Sequence, residues 1–214
     1  MTEGCLNSRN WIQIFEEVAD RIEAAKDRLN ELDGVIGDGD HGVTMTIGFR
    51  AVKQSLQALP ADVAIDEIFS KAGQVFMDAA GGAIGPLMGT MWTDSGKALA
   101  GCRSFGTPEC KQMLVAMENA IVRRGRAKPG DKTILDALHP AVEAGIAAQQ
   151  QGLRAMFRNA ADAAKAGANS TSGMISRLGR SSRLGQRTLG HEDAGANSIA
   201  VILDTMAEAV ATRR

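Results

Sequence analysis

The sequence predicts an all-α protein, a single domain over residues 1–214 built as a bundle of about eight amphipathic helices. Apolar residues recur at three- and four-residue steps along most of the chain. No stretch alternates apolar and polar residues for long enough to indicate a β-strand. With 214 residues, of which 44% are apolar, the chain is long enough to enclose one sizeable core.

The first three helices follow from apolar spacing and from residues that stop helices. Residues 11–29 carry one apolar stripe over about five turns and lead into a loop rich in aspartate and glycine. The second helix, residues 43–59, ends before Pro60, which cannot continue it. The third, residues 63–80, is again amphipathic.

Five further helices complete the bundle. Several of them have Thr, Asp or Asn near the start and glycine just past the end, as helix caps require. They are predicted at residues 87–100, 108–124, 133–150, 153–166 and 197–212.

Charge and cysteine content exclude several classes of protein. The net charge of -1 argues against a general nucleic-acid-binding or membrane-binding surface. We find no run of eighteen apolar residues and no export leader, so we expect a cytoplasmic protein. Cys5, Cys102 and Cys110 are odd in number and lack C-x-x-C spacing, which indicates ordinary apolar residues in a reducing compartment and no zinc site.

The loop after the first helix gathers three carboxylates, Asp33, Asp38 and Asp40, among four glycines. Glycine lets the backbone fold tightly enough for carboxylates to converge, and convergent carboxylates bind hard divalent cations such as Mg²⁺ or Ca²⁺. An EF-hand is excluded because the twelfth residue from Asp38 is Phe49 and not glutamate. What remains is a metal held between carboxylates and phosphates, with a solvated turn as the alternative.

Residues 37–42 also match G-x-G-x-x-G, the pattern of dinucleotide-binding folds. No strand precedes the pattern, and two of its variable positions are carboxylates that would repel a bare pyrophosphate. We therefore do not expect a dinucleotide-binding fold.

Two more segments indicate anion binding. Residues 80–90 are rich in glycine and begin a helix, so backbone N–H groups there could receive a phosphate; close helix packing is the alternative. Residues 177–187 contain four arginines without an acid until Glu192, which favours a phosphate partner in an exposed loop. A solvated basic face and an RNA-binding patch are alternatives, although the loop has no aromatic residue for base stacking.

Together these three segments, residues 37–42 with Thr44 and Phe49, residues 81–89 and residues 179–195, strongly resemble the nucleotide-binding L subunit of dihydroxyacetone kinases. The resemblance covers nearly the whole chain. It implies a barrel of eight antiparallel helices that holds ADP or ATP at one end through two Mg²⁺ ions.

The resemblance also implies the site residues. The metal ligands would be Asp33, Asp38 and Asp40, no residue would react covalently, and Arg180 would be a candidate for stabilising charge. The nucleotide would be contacted by His41, Gly42, Val43, Thr44, Ala83, Ile84, Gly125, Ile134, Arg180, Asp193, Ala194 and Gly195. Ile84 stands where the family commonly has serine, which removes a hydroxyl donor, and Ala194 replaces a frequent proline.

The implied activity is transfer of a phosphoryl group from Mg-bound nucleotide to a ketose held on a separate K subunit, without which this chain would be inactive. The favoured mode is a bound ADP that is recharged by a phosphohistidine protein of the phosphotransferase system. The alternatives are an ATP-exchanging kinase for dihydroxyacetone or another short ketose such as erythrulose, and a non-catalytic nucleotide-sensing regulator. A homodimer stays open.

Overall fold

The computed structural model describes residues 5–60 and 62–213, and it confirms the all-α prediction. The described residues form eight α-helices and three short 3₁₀ turns. The helices are α1 (Ser8–Ile36), α2 (His41–Gln57), α3 (Ile65–Ala79), α4 (Ile84–Ala98), α5 (Thr107–Gly125), α6 (Ile134–Ala147), α7 (Leu153–Ser170) and α8 (Ala194–Thr212). The 3₁₀ turns are Gln149–Gln151, Thr171–Gly173 and Ser181–Thr188.

Helix ends differ from the predicted ends where side chains extend or cap a helix. α1 continues beyond residue 29 because Leu32 and Ile36 prolong its buried face, so Asp33 lies in a helix and not in the loop. α8 begins before residue 197 because the Asp193 side chain accepts a hydrogen bond from the Ala196 N–H at 2.7 Å and caps it.

The helices form a closed ring. Each helix packs against the next one in sequence, and α8 packs against α1. Because neighbours are antiparallel, the connections α1–α2, α3–α4, α5–α6 and α7–α8 all lie at one end of the ring, and the other connections lie at the opposite end. This alternation brings together three segments that are far apart in the sequence.

The opposite end is closed by backbone hydrogen bonds. Leu6 and Phe105 exchange a pair of bonds, with N–O distances of 2.9 and 2.8 Å, and the Ile65 N–H donates to the Cys102 carbonyl at 2.9 Å. The aromatic core lies in the ring interior, where the Trp11 ring packs edge-on against Phe69 and Phe105 at 4.7 Å between centroids. None of the described helices combines the length and the apolar character that a membrane crossing needs.

α1 and α2 approach closely at Gly42, and this contact yields a testable stability prediction. A Cβ at position 42 would lie 2.0 Å from the Lys26 carbonyl oxygen, which is backbone and cannot swing aside. We expect Gly42→Ala to lower the free energy of unfolding by about 1–3 kcal/mol. Urea denaturation in EDTA measures this change.

Gly173→Ala is the matched control for that experiment. A Cβ at position 173 meets no atom within 4 Å, and the backbone there has no positive φ. This variant should stay within about 0.5 kcal/mol of the wild type. Equal stability of both variants would contradict the close helix contact.

Candidate nucleotide and metal site

A cavity of about 700 Å³ opens at the end of the ring where the four connections meet. Every one of these connections contributes to its lining, and so do the first turns of α2, α4, α6 and α8. Four helix N-termini, with their unpaired N–H groups, therefore lie at this end together with the C-termini of α1, α3, α5 and α7, so any attraction for anions is local to the individual N-termini that line the cavity.

The three predicted carboxylates converge at the mouth of this cavity. Ligand oxygens of Asp33, Asp38 and Asp40 lie within 4.8 Å of one another, the only such grouping of acidic, histidine or cysteine side chains in the described part of the chain. Asp33 Oδ2 accepts hydrogen bonds from the N–H groups of Gly39, at 2.8 Å, and Asp40, at 3.1 Å. These bonds fold the loop back over the end of α1, and Gly39 permits the turn with a φ of 78°.

Arg180 reaches this carboxylate cluster from the α7–α8 connection. Its guanidinium forms an ion pair with the Asp38 carboxylate, and both side chains are substantially exposed, at 69% and 44%. An exposed pair of this kind adds little to stability. Its significance is positional, because it places a permanent cation beside the cluster.

The start of α4 provides a separate anion-binding element. Within the described residues α4 has no side-chain cap, whereas Thr133 caps α6 and Asp193 caps α8. A Cβ at Gly81 or Gly82 would meet nothing within 4 Å, so the backbone there faces open space. Backbone amides at the start of α4 can therefore receive a phosphate oxygen even though Ile84 has no hydroxyl.

His41 is a neutral polar group in the cavity wall. Its Nε2 lies 2.7 Å from the Ser198 hydroxyl oxygen. Burial lowers the pKa of His41 to about 4, against an opposing effect of the Asp33 carboxylate. At neutral pH this side chain therefore adds no positive charge for a phosphate.

The predicted site residues are brought together with two exceptions, Gly42 and Val43. The others all line the cavity: Asp33, Asp38, Asp40, His41, Thr44, Ala83, Ile84, Gly125, Ile134, Arg180, Asp193, Ala194 and Gly195. Gly42 packs on α1, and the Val43 N–H donates to the Asn30 side-chain oxygen at 3.1 Å. The Thr44 N–H donates to the Asp40 carbonyl at 2.9 Å, so at Thr44 the hydroxyl is the group left to meet a ligand.

The family model for the DAK2 domain matches residues 35–208. The chain belongs to the DAK2 domain family. This confirms the resemblance to the L subunit of dihydroxyacetone kinases that the three motifs indicated.

Relatives of this DAK2 domain include short subunits and longer proteins. It is 35% identical over 98% of its length to the ADP-binding subunit DhaL of PEP-dependent dihydroxyacetone kinase 2 from Listeria innocua, and covers all of that protein. It is 35% identical to the corresponding ADP-binding subunit DhaL of Escherichia coli K12, with 92% of this chain and 93% of that one covered. It is 32% identical to D-erythrulose kinase of Mycolicibacterium smegmatis over 97% of this chain but only 36% of that protein.

The fold also matches a solved structure. The crystal structure of the dihydroxyacetone kinase from C. freundii in complex with AMP-PNP and Mg²⁺ superposes with a TM-score of 0.71 at 28% identity. The match covers 92% of this DAK2 domain and 33% of that longer chain.

Sequence reasoning missed part of the cavity wall of the DAK2 domain. Lys132 lines the cavity beside Thr133, although its side chain is buried. Six apolar residues also line the cavity, and we call them its apolar wall: Ile36, Pro86, Leu87, Ile121, Ala127 and Leu178. Only helical spacing marks most of these apolar residues, and that spacing also marks ordinary core positions.

The Asp193 carboxyl, half-buried in the cavity wall, gives the DAK2 domain a predictable pH dependence. Burial raises the pKa of Asp193 from 3.8 to about 6, and the Asp136 and Asp33 carboxylates add to the effect. The folded state therefore keeps this proton between pH 3.8 and about 6 while the unfolded state loses it, so stability falls as pH rises through that window.

Asp193→Asn tests this dependence, because asparagine also caps helices but does not titrate. We expect the stability of the variant relative to wild type to rise by roughly 1–3 kcal/mol between pH 4 and pH 7. Urea unfolding in EDTA at both pH values measures it. A stability difference that does not change with pH would show that Asp193 titrates normally.

Proposed function

We propose that this DAK2 domain is the nucleotide-binding subunit of a dihydroxyacetone kinase. It would pass the γ-phosphoryl group of Mg-bound ATP to a hydroxyl of a ketose held on a separate K-type subunit, which leaves ADP in the cavity. The observation that carries the proposal is the convergence of three carboxylates, an uncapped helix N-terminus and Arg180 on one cavity. The ADP-binding subunits that share 35% identity over nearly the whole chain support it.

The donor set fits Mg²⁺. Asp33, Asp38 and Asp40 offer only oxygen ligands, which Mg²⁺ prefers, and two such ions would neutralise charge between these carboxylates and the nucleotide phosphates. Asp33 is held by two backbone N–H groups, so its orientation is set before any ion binds. Asp38 and Asp40 are more exposed than Asp33 and would complete the coordination shell, although Asp38 is also paired with Arg180.

The remaining residues would bind and orient the nucleotide. The apolar wall suits a base, the start of α4 suits a phosphate, and Arg180 lies where charge on a transferred phosphoryl group would need a partner. Phosphoryl transfer depends on positioning and charge stabilisation more than on a covalent nucleophile. The cavity therefore needs no reactive side chain of its own.

We favour a bound ADP that is recharged in place by a phosphohistidine protein, since the relatives matched over nearly their full length include PEP-dependent and PTS-dependent enzymes. Exchange of ATP for ADP at each turnover is the second candidate, and the similarity to a dihydroxyacetone kinase crystallised with the ATP analogue AMP-PNP and Mg²⁺ favours it. A nucleotide-sensing regulator would share the cavity but make no ketose phosphate.

Reconstitution tests the proposed function and separates these modes. The chain is mixed with a K-type subunit, dihydroxyacetone and Mg²⁺, together with either ATP or PEP and the phosphotransferase-system proteins, and dihydroxyacetone phosphate is quantified. We expect product only when both subunits are present. Product only with PEP and the phosphotransferase-system proteins would show that bound ADP is recharged in place. Product only with ATP would show that the nucleotide exchanges at each turnover. No product with either donor would leave the regulator as the better explanation.

A further inference from the structure

Lys132 is the only buried lysine or arginine among the described residues, with 1% of its surface exposed. It lies in the α5–α6 connection and has a left-handed φ of 62°, which is uncommon for a residue other than glycine. Burying an ammonium group and holding the backbone in this conformation both cost free energy. Surrounding contacts must therefore compensate for both costs.

The ammonium group of Lys132 is fully occupied by backbone carbonyls. Its Nζ donates to the carbonyls of His191, at 2.6 Å, of Met174, at 3.1 Å, and of Thr188. An ammonium group has three donors, so none is left for a phosphate although the side chain lines the cavity. Burial lowers the pKa of Lys132, and the Asp193 carboxylate opposes that shift.

The three carbonyls belong to the two ends of one loop. We call residues 174–191 the arginine loop; Met174 is at its start, and Thr188 and His191 are at its end. We call the two ends of the arginine loop, residues 174–176 and 188–191, its neck. A single ammonium group thus joins both sides of the neck to the α5–α6 connection. The Arg177 N–H adds a second tie to that connection by donating to the Asp131 carbonyl at 3.1 Å.

The neck of the arginine loop is reinforced from within. The Ser176 N–H donates to Thr188 Oγ1 at 3.0 Å, and the Gly190 N–H donates to the Ser172 carbonyl at 2.8 Å. Arg180, by contrast, lies toward the exposed far part of the loop, where it reaches across to Asp38. The position of Arg180 over the cavity therefore depends on how firmly the neck is held.

We propose that Lys132 is a positioning residue, which fastens the neck of the arginine loop so that Arg180 stays over the nucleotide site. This inference rests on the proposed function. Lys132 acts through Arg180 and does not itself touch the nucleotide. Its loss should accordingly resemble the loss of Arg180 more than the loss of a metal ligand.

The test is a double-mutant cycle on the full chain, reconstituted with a K-type subunit. Lys132→Met should speed dissociation of Mg²⁺-bound mant-ADP and lower the turnover number by about 100-fold, the scale expected when a catalytic group is misplaced. In an Arg180→Ala background the same substitution should change turnover by less than about twofold, because the group it positions is already gone. Lys128→Met, at an exposed lysine in the same connection, should match wild type.

Hydrogen exchange adds a readout that does not depend on turnover. Lys132→Met should speed amide exchange in residues 174–191 while protection in α1 to α4 is retained. If Lys132→Met fails to fold, Thr188→Val decides, because it removes the hydroxyl that accepts from Ser176 and leaves the ammonium in place. That variant should show the same pattern with a smaller change.

Three results would overturn the inference. Equal losses from Lys132→Met with and without Arg180 would show that Lys132 supports the fold generally. The positioning role would also be removed if wild type binds mant-ADP but Lys132→Met releases it no faster and turns over normally. That result would leave the proposed function intact. A wild type that binds no nucleotide would instead reject both.

Discussion

Asp38→Asn is expected to weaken Mg²⁺-dependent binding of ADP by about 100-fold or more, equivalent to ~2.7 kcal/mol, while the helical ring keeps its stability. The substitution keeps the shape of the side chain but removes one of three converging negative charges that would face the metal ions. Asp38 lies in an exposed connection, and its ion pair with Arg180 is exposed too, so unfolding should be almost unaffected.

Isothermal titration calorimetry with ADP, in Mg²⁺ and again in EDTA, measures this effect. Glu31→Gln is the matched control: Glu31 is an exposed carboxylate on α1 that pairs only loosely with Arg28, at 3.4 Å, and does not line the cavity. It should bind like wild type. An Asp38→Asn protein with undiminished affinity would move the metal site away from this loop.

Arg180→Ala is expected to lower the turnover number of the reconstituted kinase by roughly 10²–10³-fold, with a smaller effect on nucleotide affinity. Among the described residues, Arg180 is the only side-chain cation in an ion pair with the carboxylate cluster. A charge that acts on the transferred group matters most during transfer. Arg180→Lys should recover only part of the rate, because an ammonium group lacks the planar pair of donors.

Steady-state kinetics with dihydroxyacetone and a K-type subunit provide this measurement. Arg183→Ala is the control, since Arg183 is exposed on the same loop and does not line the cavity. It should leave turnover unchanged. If both variants lost the same activity, the loop would act as a general basic surface, as the RNA-binding and solvated-face alternatives suppose.

The helical ring was predictable because apolar spacing along each helix is local information. The first and last residues of the helices were less predictable. α1 continues to Ile36, and α8 begins at Ala194, directly after the Asp193 cap. The extension of α1 depends on the burial of Leu32 and Ile36 against other parts of the fold, whereas the Asp193 cap is a local bond to the Ala196 N–H three residues on. The sequence nevertheless indicated the correct number and order of helices.

The residues that line the cavity were predictable where a short motif has residue types that suit a particular ligand. Clustered aspartates and glycines marked the carboxylate cluster, our candidate metal site, without reference to the rest of the fold. The family resemblance grouped Val43 with His41 and Thr44, but on a helix His41 and Thr44 share a face and Val43 points elsewhere. Lys132 left no local signal, since its role depends on carbonyls of residues 174, 188 and 191.

Native mass spectrometry of the freshly purified chain shows whether this cavity binds a nucleotide through metal ions held by Asp33, Asp38 and Asp40. Wild-type protein in Mg²⁺-compatible buffer should carry the added mass of one nucleotide and two Mg²⁺ ions, either as purified or after ATP or ADP is supplied. The Asp38→Asn protein should carry neither. A folded wild type that takes up no nucleotide in the presence of Mg²⁺ would show that the cavity is not a nucleotide-binding site.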